Sequence, residues 1–264
     1  MADRTHGDWA LITGASSGLG ADFARELASR GCNCVLVARR ESRLRELAEE
    51  LARDNGAETE VVSMDLSVPG APAELHRRLA ERGLQVDMLI NNAGFGIFDR
   101  FLDIPWERER AMIELDVLAL VQLTKLFAAD MVERGYGRIL QVASTAAYQA
   151  VPYYATYAGC KSFVLLFGEA LNYELAGTGV TCTVLSPGTT DTEFQSVAGH
   201  DYTMAMRGSA MSSRDVARTG VEAMLRGRSS VLAGLRNKAL VWLERFTPRA
   251  LITRIAARFT GSPR

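Results

Sequence analysis

Residues 9–20 read Trp9-Ala10-Leu11-Ile12-Thr13-Gly14-Ala15-Ser16-Ser17-Gly18-Leu19-Gly20, an apolar β-rich run that passes directly into a glycine-rich turn before a helix begins. This strand–turn–helix opening is then repeated in kind along the chain. Trp9–Thr13, Asn33–Ala38, Glu58–Met64, Val86–Asn91, Gly137–Ala143, Val180–Ser186 and Ser230–Ala233 read as strands, with helix-patterned segments between them. Runs such as CVLVA and TCTVLS are almost continuously apolar, as parallel strands must be when helices cover both faces. The expected fold class is therefore α/β: a single doubly wound, Rossmann-type, mostly parallel sheet of about seven strands.

In such a sheet the ligand lies at the carboxyl ends of the strands, which is where the glycine turn falls. Gly14, Ser16, Ser17, Gly18, Leu19 and Gly20 are thus candidates to cradle a pyrophosphate against the positive end of the following helix. The spacing is G-x-x-x-G-x-G and not the G-x-G-x-x-G dinucleotide fingerprint. The same turn contains Gly14-Ala15-Ser16-Ser17-Gly18, a match to the G-x-S-x-G elbow of serine hydrolases. That chemistry needs a later acid and histidine, and only His76, in a charged helix, and His200, in an irregular stretch, follow. Hydrolysis is the weaker reading. At the end of the second strand, VLVARR, Ala38 takes the slot where an acid would accept from a free ribose 2′-hydroxyl. Arg39 and Arg40 follow, and guanidinium groups match a 2′-phosphate in charge and geometry, so NADP(H) is expected over NAD(H).

Tyr157 and Lys161 stand four residues apart in a helix-patterned segment and share one helix face. An ammonium beside a phenol favours the phenolate and brings the group toward a range where it trades protons. Ser144 ends the strand GRILQVAS at the same sheet edge, where its hydroxyl can polarise a substrate oxygen or simply cap a turn. Together these residues outline a carbonyl-reduction site.

With these elements the sequence resembles the short-chain dehydrogenase/reductase family from about Trp9 to Phe194. TGASSGLG (13–20), Asp65-Leu66, NNAG (91–94), Ser144, YAGCK (157–161) and SPGTTDT (186–192) occur in the family's order. The resemblance implies that Lys161 also holds the nicotinamide ribose and that Asp65, with Leu66, meets the adenine. It implies further that Asn92, Ala93 and Gly94 shape the cofactor floor, and that Pro187, Gly188, Thr190 and Thr192 hold the carboxamide end. It also implies a homodimer or homotetramer. Asp116 stands where the family commonly has Asn; an ionised carboxylate cannot donate a hydrogen bond, and it opposes the effect of Lys161 on Tyr157. An alternative to turnover is a dinucleotide-binding sensor or scaffold, favoured by Asp116 alone. Sugar epimerases share the glycine turn and the Tyr-Lys pair but usually carry a longer substrate domain.

The formal net charge of −1 gives no whole-chain attraction to nucleic acid or to acidic membranes. Cys32, Cys34, Cys160 and Cys182 lie in apolar runs without disulfide-framework or metal-site spacing, so no metal is expected and a reducing compartment fits. The charged beginning MADRTHGDWA carries no apolar signal run, and the cytoplasm is the expected location. Residues 1–264 are expected to form one domain, with 190–212 as a substrate loop or lid. Phe95, Phe98, Tyr148, Tyr153, Tyr154 and Phe194 are candidates for the pocket wall and point to an apolar or aromatic small-molecule carbonyl or alcohol substrate. The segment 236–264 has seven basic residues and one acid, Glu244. Within it Thr247-Pro248 reads as an N-cap and first helical residue, starting a helix through Phe259. Its stripe of Leu251, Ile252, Ile255 and Phe259 is expected to dock on the parent domain or a sister subunit in preference to a membrane surface.

Overall fold

The computed structural model describes residues 5–263. Seven parallel strands, β1 (Trp9–Thr13), β2 (Asn33–Ala38), β3 (Thr59–Ser63), β4 (Val86–Asn91), β5 (Gly137–Val142), β6 (Val180–Ser186) and β7 (Ser230–Leu232), form one sheet in the order β3-β2-β1-β4-β5-β6-β7. Three of them end short of the range read from sequence, yet the ladder runs on: Ala143 donates to Leu185 O and Ala233 to Ser186 O. The order reverses between β1 and β4, which opens a crevice at their carboxyl ends.

Helices cover both faces. Along β1, Ala10 and Ile12 pack with Phe23 and Leu27 of α1 (Gly18–Ala28), Leu44 and Leu47 of α2 (Glu41–Asn55) and Val216, Val221 and Met224 of the later helix over 213–225. Leu11 points the other way, into a second core with Leu75 and Leu79 of α3 (Ala71–Glu81). The period of two along a strand therefore sends apolar side chains to both layers, which is why β1 and β2 carry almost no polar residue. On the second face α4 (Trp106–Ile113) runs through a π-helical turn, Glu114–Ala119, into α5 (Leu120–Arg134), and α6 (Ala155–Glu174) packs beside it.

The segment without clear period holds two short helices, α7 (Phe194–Ala198) and α8 (Met204–Arg207). Gly199 ends the first in the left-handed region, and the Thr203 hydroxyl caps the second by accepting from Met206 N. After α9 (Ser213–Leu225) and β7 come α10 (Leu235–Glu244), absent from the sequence reading, and α11 (Arg249–Thr260). Thr247 is not the cap expected of it: its hydroxyl donates to Leu243 O of α10, and Pro248 occupies the N-cap position itself. No helix among the described residues is long and apolar enough to cross a membrane.

Candidate active site

A cavity of about 450 Å³ opens at the crevice and is lined by all the catalytic and cofactor-binding residues expected from sequence except Asp116. Its floor is tied together by Thr13, a residue the sequence reading passed over. The Thr13 hydroxyl accepts from Asn92 N (3.0 Å) and Ala93 N (2.9 Å), while Asn92 Nδ2 donates to Thr13 O at 2.9 Å. The NNAG segment is thereby fixed against the glycine turn. A Cβ on Gly20 would stand 2.1 Å from Gly14 O and 2.8 Å from Asn92 Nδ2, so this glycine is required by the approach of protein to protein. Ser17, the N-cap of α1, makes no side-chain cap. The first-turn N–H groups consequently lack a capping oxygen, and they stand beside the cavity as donors for an anion.

Arg40 donates to Ser16 Oγ (3.0 Å) and Ser17 Oγ (2.6 Å) and pairs with Glu193 at 2.8 Å. It clasps the glycine turn to the segment before α7. Arg39 is more open, 72% exposed, with Asp65 at 3.9 Å. Asp65 Oδ1 accepts from Ser67 N and Ser67 Oγ in a local turn. Leu66 is buried against the second core. His76 bonds Asp130 at 2.7 Å and His200 bonds Tyr154 and Thr260, so neither meets Ser16, and the hydrolase reading has no partner in the fold.

At the other end of the cavity stand Ser144, Tyr157 and Lys161. Ser144 Oγ accepts from Ala146 N at 3.1 Å, capping the short turn Thr145–Ala147 and leaving its own hydrogen to donate. Both roles weighed for this serine are thus open to it at once. Lys161 Nζ donates to Val142 O (3.2 Å) and lies 3.0 Å from Asp116 Oδ2. Asp116 is fully buried in the π-helical turn, and its Oδ1 accepts from Phe95 N at 3.1 Å. It therefore sits behind the cavity wall. A Cβ on Gly94 would fall 2.9 Å from both Asp116 oxygens, so the glycine of NNAG makes room for this carboxylate.

The electrostatics correct one expectation. Burial pushes the Tyr157 phenol above its ordinary value, and the Asp116 charge adds to that rise, outweighing Lys161 and Ser144, which act downward. Burial alone would discharge Lys161, but Asp116 and Tyr157 hold its ammonium above the usual lysine range. Burial raises Asp116 itself, against the pull of Lys161 and of the Phe95 N–H.

Toward α7 and the C-terminal helices the lining becomes apolar. Phe95, Tyr154 and Phe194 line the cavity as expected, whereas Phe98, Tyr148 and Tyr153 do not. Phe98 stacks on His200 with ring centroids 3.7 Å apart, and Tyr148 packs against the core around Val164 and Leu165. Tyr153 holds a left-handed φ of 66°. Their places are taken by Val151, Tyr202, Met206 and Phe259, whose contribution depends on where the tail folds. His200 Nδ1 is 2.9 Å from Tyr154 Oη and its Nε2 is 2.9 Å from Thr260 O; Thr203 Oγ1 donates to Phe259 O at 2.8 Å. α11 is seated through Ala256 and Thr260 and through half of the stripe expected: Phe259 lines the cavity and Ile252 is partly buried, whereas Leu251 and Ile255 are 48% and 54% exposed.

The sequence model of the family described as short chain dehydrogenase matches residues 8–203. The chain is 32% identical over 235 residues to a 7beta-hydroxysteroid dehydrogenase of Collinsella aerofaciens, covering 88% of each. A short-chain dehydrogenase from Sphingobium yanoikuyae solved in complex with NADPH superposes with a TM-score of 0.81 at 31% identity, covering 90% of this chain and 94% of that one. A short chain dehydrogenase/reductase from Burkholderia phymatum in complex with NAD gives a TM-score of 0.81 at 26% identity, covering 93% and 97%. The glycine turn at the switch point, the Ser-Tyr-Lys group beside it and these likenesses converge: the chain belongs to the short-chain dehydrogenase family of oxidoreductases.

Proposed function

We propose that this chain is an NADP(H)-dependent oxidoreductase that interconverts a bulky, apolar carbonyl compound and its secondary alcohol, with Tyr157 as proton donor. The observation that carries this reading is the meeting of Ser144, Tyr157 and Lys161 with the glycine turn in one cavity. The residues suit a dinucleotide: uncapped N–H groups at the start of α1, the glycine cradle over Asn92, and the Arg39 guanidinium at the mouth. In this reading Gly14, Ser16, Ser17, Gly18, Leu19 and Gly20 hold the pyrophosphate and Arg39 holds the 2′-phosphate, with Arg40 fixing the turn. Asp65 and Leu66 flank the adenine; Asn92, Ala93 and Gly94 support the floor; Pro187, Gly188, Thr190 and Thr192 hold the carboxamide.

When bound, the nicotinamide supplies the hydride to carbon. Tyr157 Oη then gives its proton to the carbonyl oxygen, and the Ser144 hydroxyl donates a hydrogen bond to the same oxygen. Of the three Lys161 ammonium hydrogens, one goes to Val142 O and one toward Asp116, which leaves the third for a ribose hydroxyl. The raised phenol holds the proton that reduction of a carbonyl requires. The apolar half of the cavity, with Tyr154, Phe194, Met206 and Phe259, suits a broad apolar skeleton. The 7beta-hydroxysteroid dehydrogenase relative adds support for that class. The segment 190–212 acts as the lid within one domain, in a homodimer or homotetramer. Loss of absorbance at 340 nm from NADPH with a panel of bulky ketones tests the reading; a chain that binds NADPH yet turns over none of them is the sensor instead, the reading that the tied Lys161 would favour.

A further inference from the structure

The C-terminal helices gather positive charge and exposed apolar area with a single acid among them. Some exposed arginines elsewhere are matched, Arg45 with Glu41, Arg77 with Glu74 and Glu81, Arg82 with Glu60, while others, such as Arg43 and Arg108, stand singly. Arg236, Lys238, Arg245, Arg249, Arg254 and Arg258 are all exposed, and none forms an ion pair among the described residues. Glu244, the sole acid of the segment, is turned inward and half-buried.

The orientation of α10 is set by its inner face. Asn237, Val241 and Glu244 are its least exposed side chains, and Asn237 Nδ2 anchors to Ala233 O at 2.7 Å. At 100° per residue the direction opposite these three is taken by Leu235, Ala239, Trp242, Leu243 and the following Phe246. Leu235 is 82% and Phe246 71% exposed, and Trp242 packs on Phe246 at a tilt of 59° with 4.9 Å between ring centroids. Arg236 borders this stripe on one side and Lys238 and Arg245 on the other. On α11 the outward residues are Leu251 and Ile255 with Arg254 and Arg258. An exposed apolar stripe bordered by basic residues, as on α10, marks an interaction site.

We infer that the outward face of α10, with the outer residues of α11, docks on an anionic lipid bilayer surface. Charge complementarity selects this occupant. A second copy meeting the same face about a two-fold axis would bring unpaired cations against unpaired cations. Anionic headgroups neutralise all six, while Trp242 and Phe246 sit at headgroup depth and the aliphatic stems of Arg and Lys reach the interface. The negative charge on the remainder of the molecule weakens this little beyond a screening length of about 8 Å.

Co-sedimentation of the full chain with phosphatidylcholine vesicles, with and without phosphatidylserine, tests the assignment. Binding is expected only with phosphatidylserine, falling with salt and accompanied by a blue shift of tryptophan emission that Trp242→Ser abolishes. Trp242→Ser with Phe246→Ser should lower vesicle partition at least about tenfold, and each cation removed at Arg245 and Arg249 by Gln about fivefold, with NADPH affinity unchanged. No binding to phosphatidylserine vesicles, or binding that the double Ser variant leaves intact, overturns the proposal. Conversion of an oligomer to a monomer by that variant, without vesicle binding by the parent, assigns the face to a second copy.

Discussion

Asp116 Oδ2 lies 3.0 Å from Lys161 Nζ, in a turn with π-helical hydrogen bonding, and no part of the carboxylate reaches solvent. Asp116 raises Lys161 and opposes the downward pull of Lys161 on Tyr157, whose phenol burial already raises.

Replacing the carboxylate by an amide tests this directly. In Asp116→Asn the amide oxygen still accepts from Phe95 N–H, while the charge that adds to the rise of Tyr157 is gone. The phenol should ionise at lower pH, moving the rising limb of alcohol oxidation acidward. A pH profile of kcat in the oxidation direction reads the shift; an unchanged limb would show that Asp116 does not act through Tyr157.

Tyr157→Phe keeps the ring among Tyr154 and Phe194, at 5.7 and 5.4 Å between centroids, and removes the transferable proton. Turnover should fall by about 10²–10⁴ with NADPH affinity kept. Steady-state rates beside a fluorescence titration of NADPH separate the two effects, and retention of more than about a tenth of kcat rules out the proposed donor.

The proposed preference for NADP(H) rests on Arg39, since Arg40 is already engaged by Ser16, Ser17 and Glu193. Arg39→Ala should weaken NADPH about ten- to hundredfold and leave NADH nearly unchanged, the loss expected of charge-assisted hydrogen bonds. Dissociation constants for both nucleotides check it; tighter binding of NADH by the parent would reverse the assignment.

His200 makes the seating of α11 pH-dependent. As the neutral Nε2–H tautomer it donates to Thr260 O and accepts from Tyr154, and burial lowers its folded-state pKa. A depressed histidine contributes stability that is present above its unfolded value near 6.5 and is lost as pH falls through the lower folded value. The protection of the amides of 256–261, taken relative to their intrinsic exchange rates, should therefore fall as the pH drops below 6.5. His200→Phe should remove that dependence while protection in β5 stays constant.

The amino-acid sequence alone determined the layered architecture and most of the site. The signals are local: unbroken apolar runs for strands buried on both faces, and turn and site residues placed where those strands end. Strand limits consequently fall within a residue of the structure at β3, β5 and β7, and Gly14 to Gly20, Ser144, Tyr157 and Lys161 meet in one cavity. Tertiary structure decided what depends on distant partners. Both sides of α11 carry apolar residues, so periodicity cannot choose between Ala256 with Thr260 and Leu251 with Ile255; the His200 bond to Thr260 O chooses. The same holds for Phe98, which is drawn from the cavity by stacking on His200, and for Phe259, which enters it from the far end of the chain. Gly20 and Gly94 are legible as glycines in a motif, but the Gly14 carbonyl and the Asp116 carboxylate that require them stand where only the folded chain brings them.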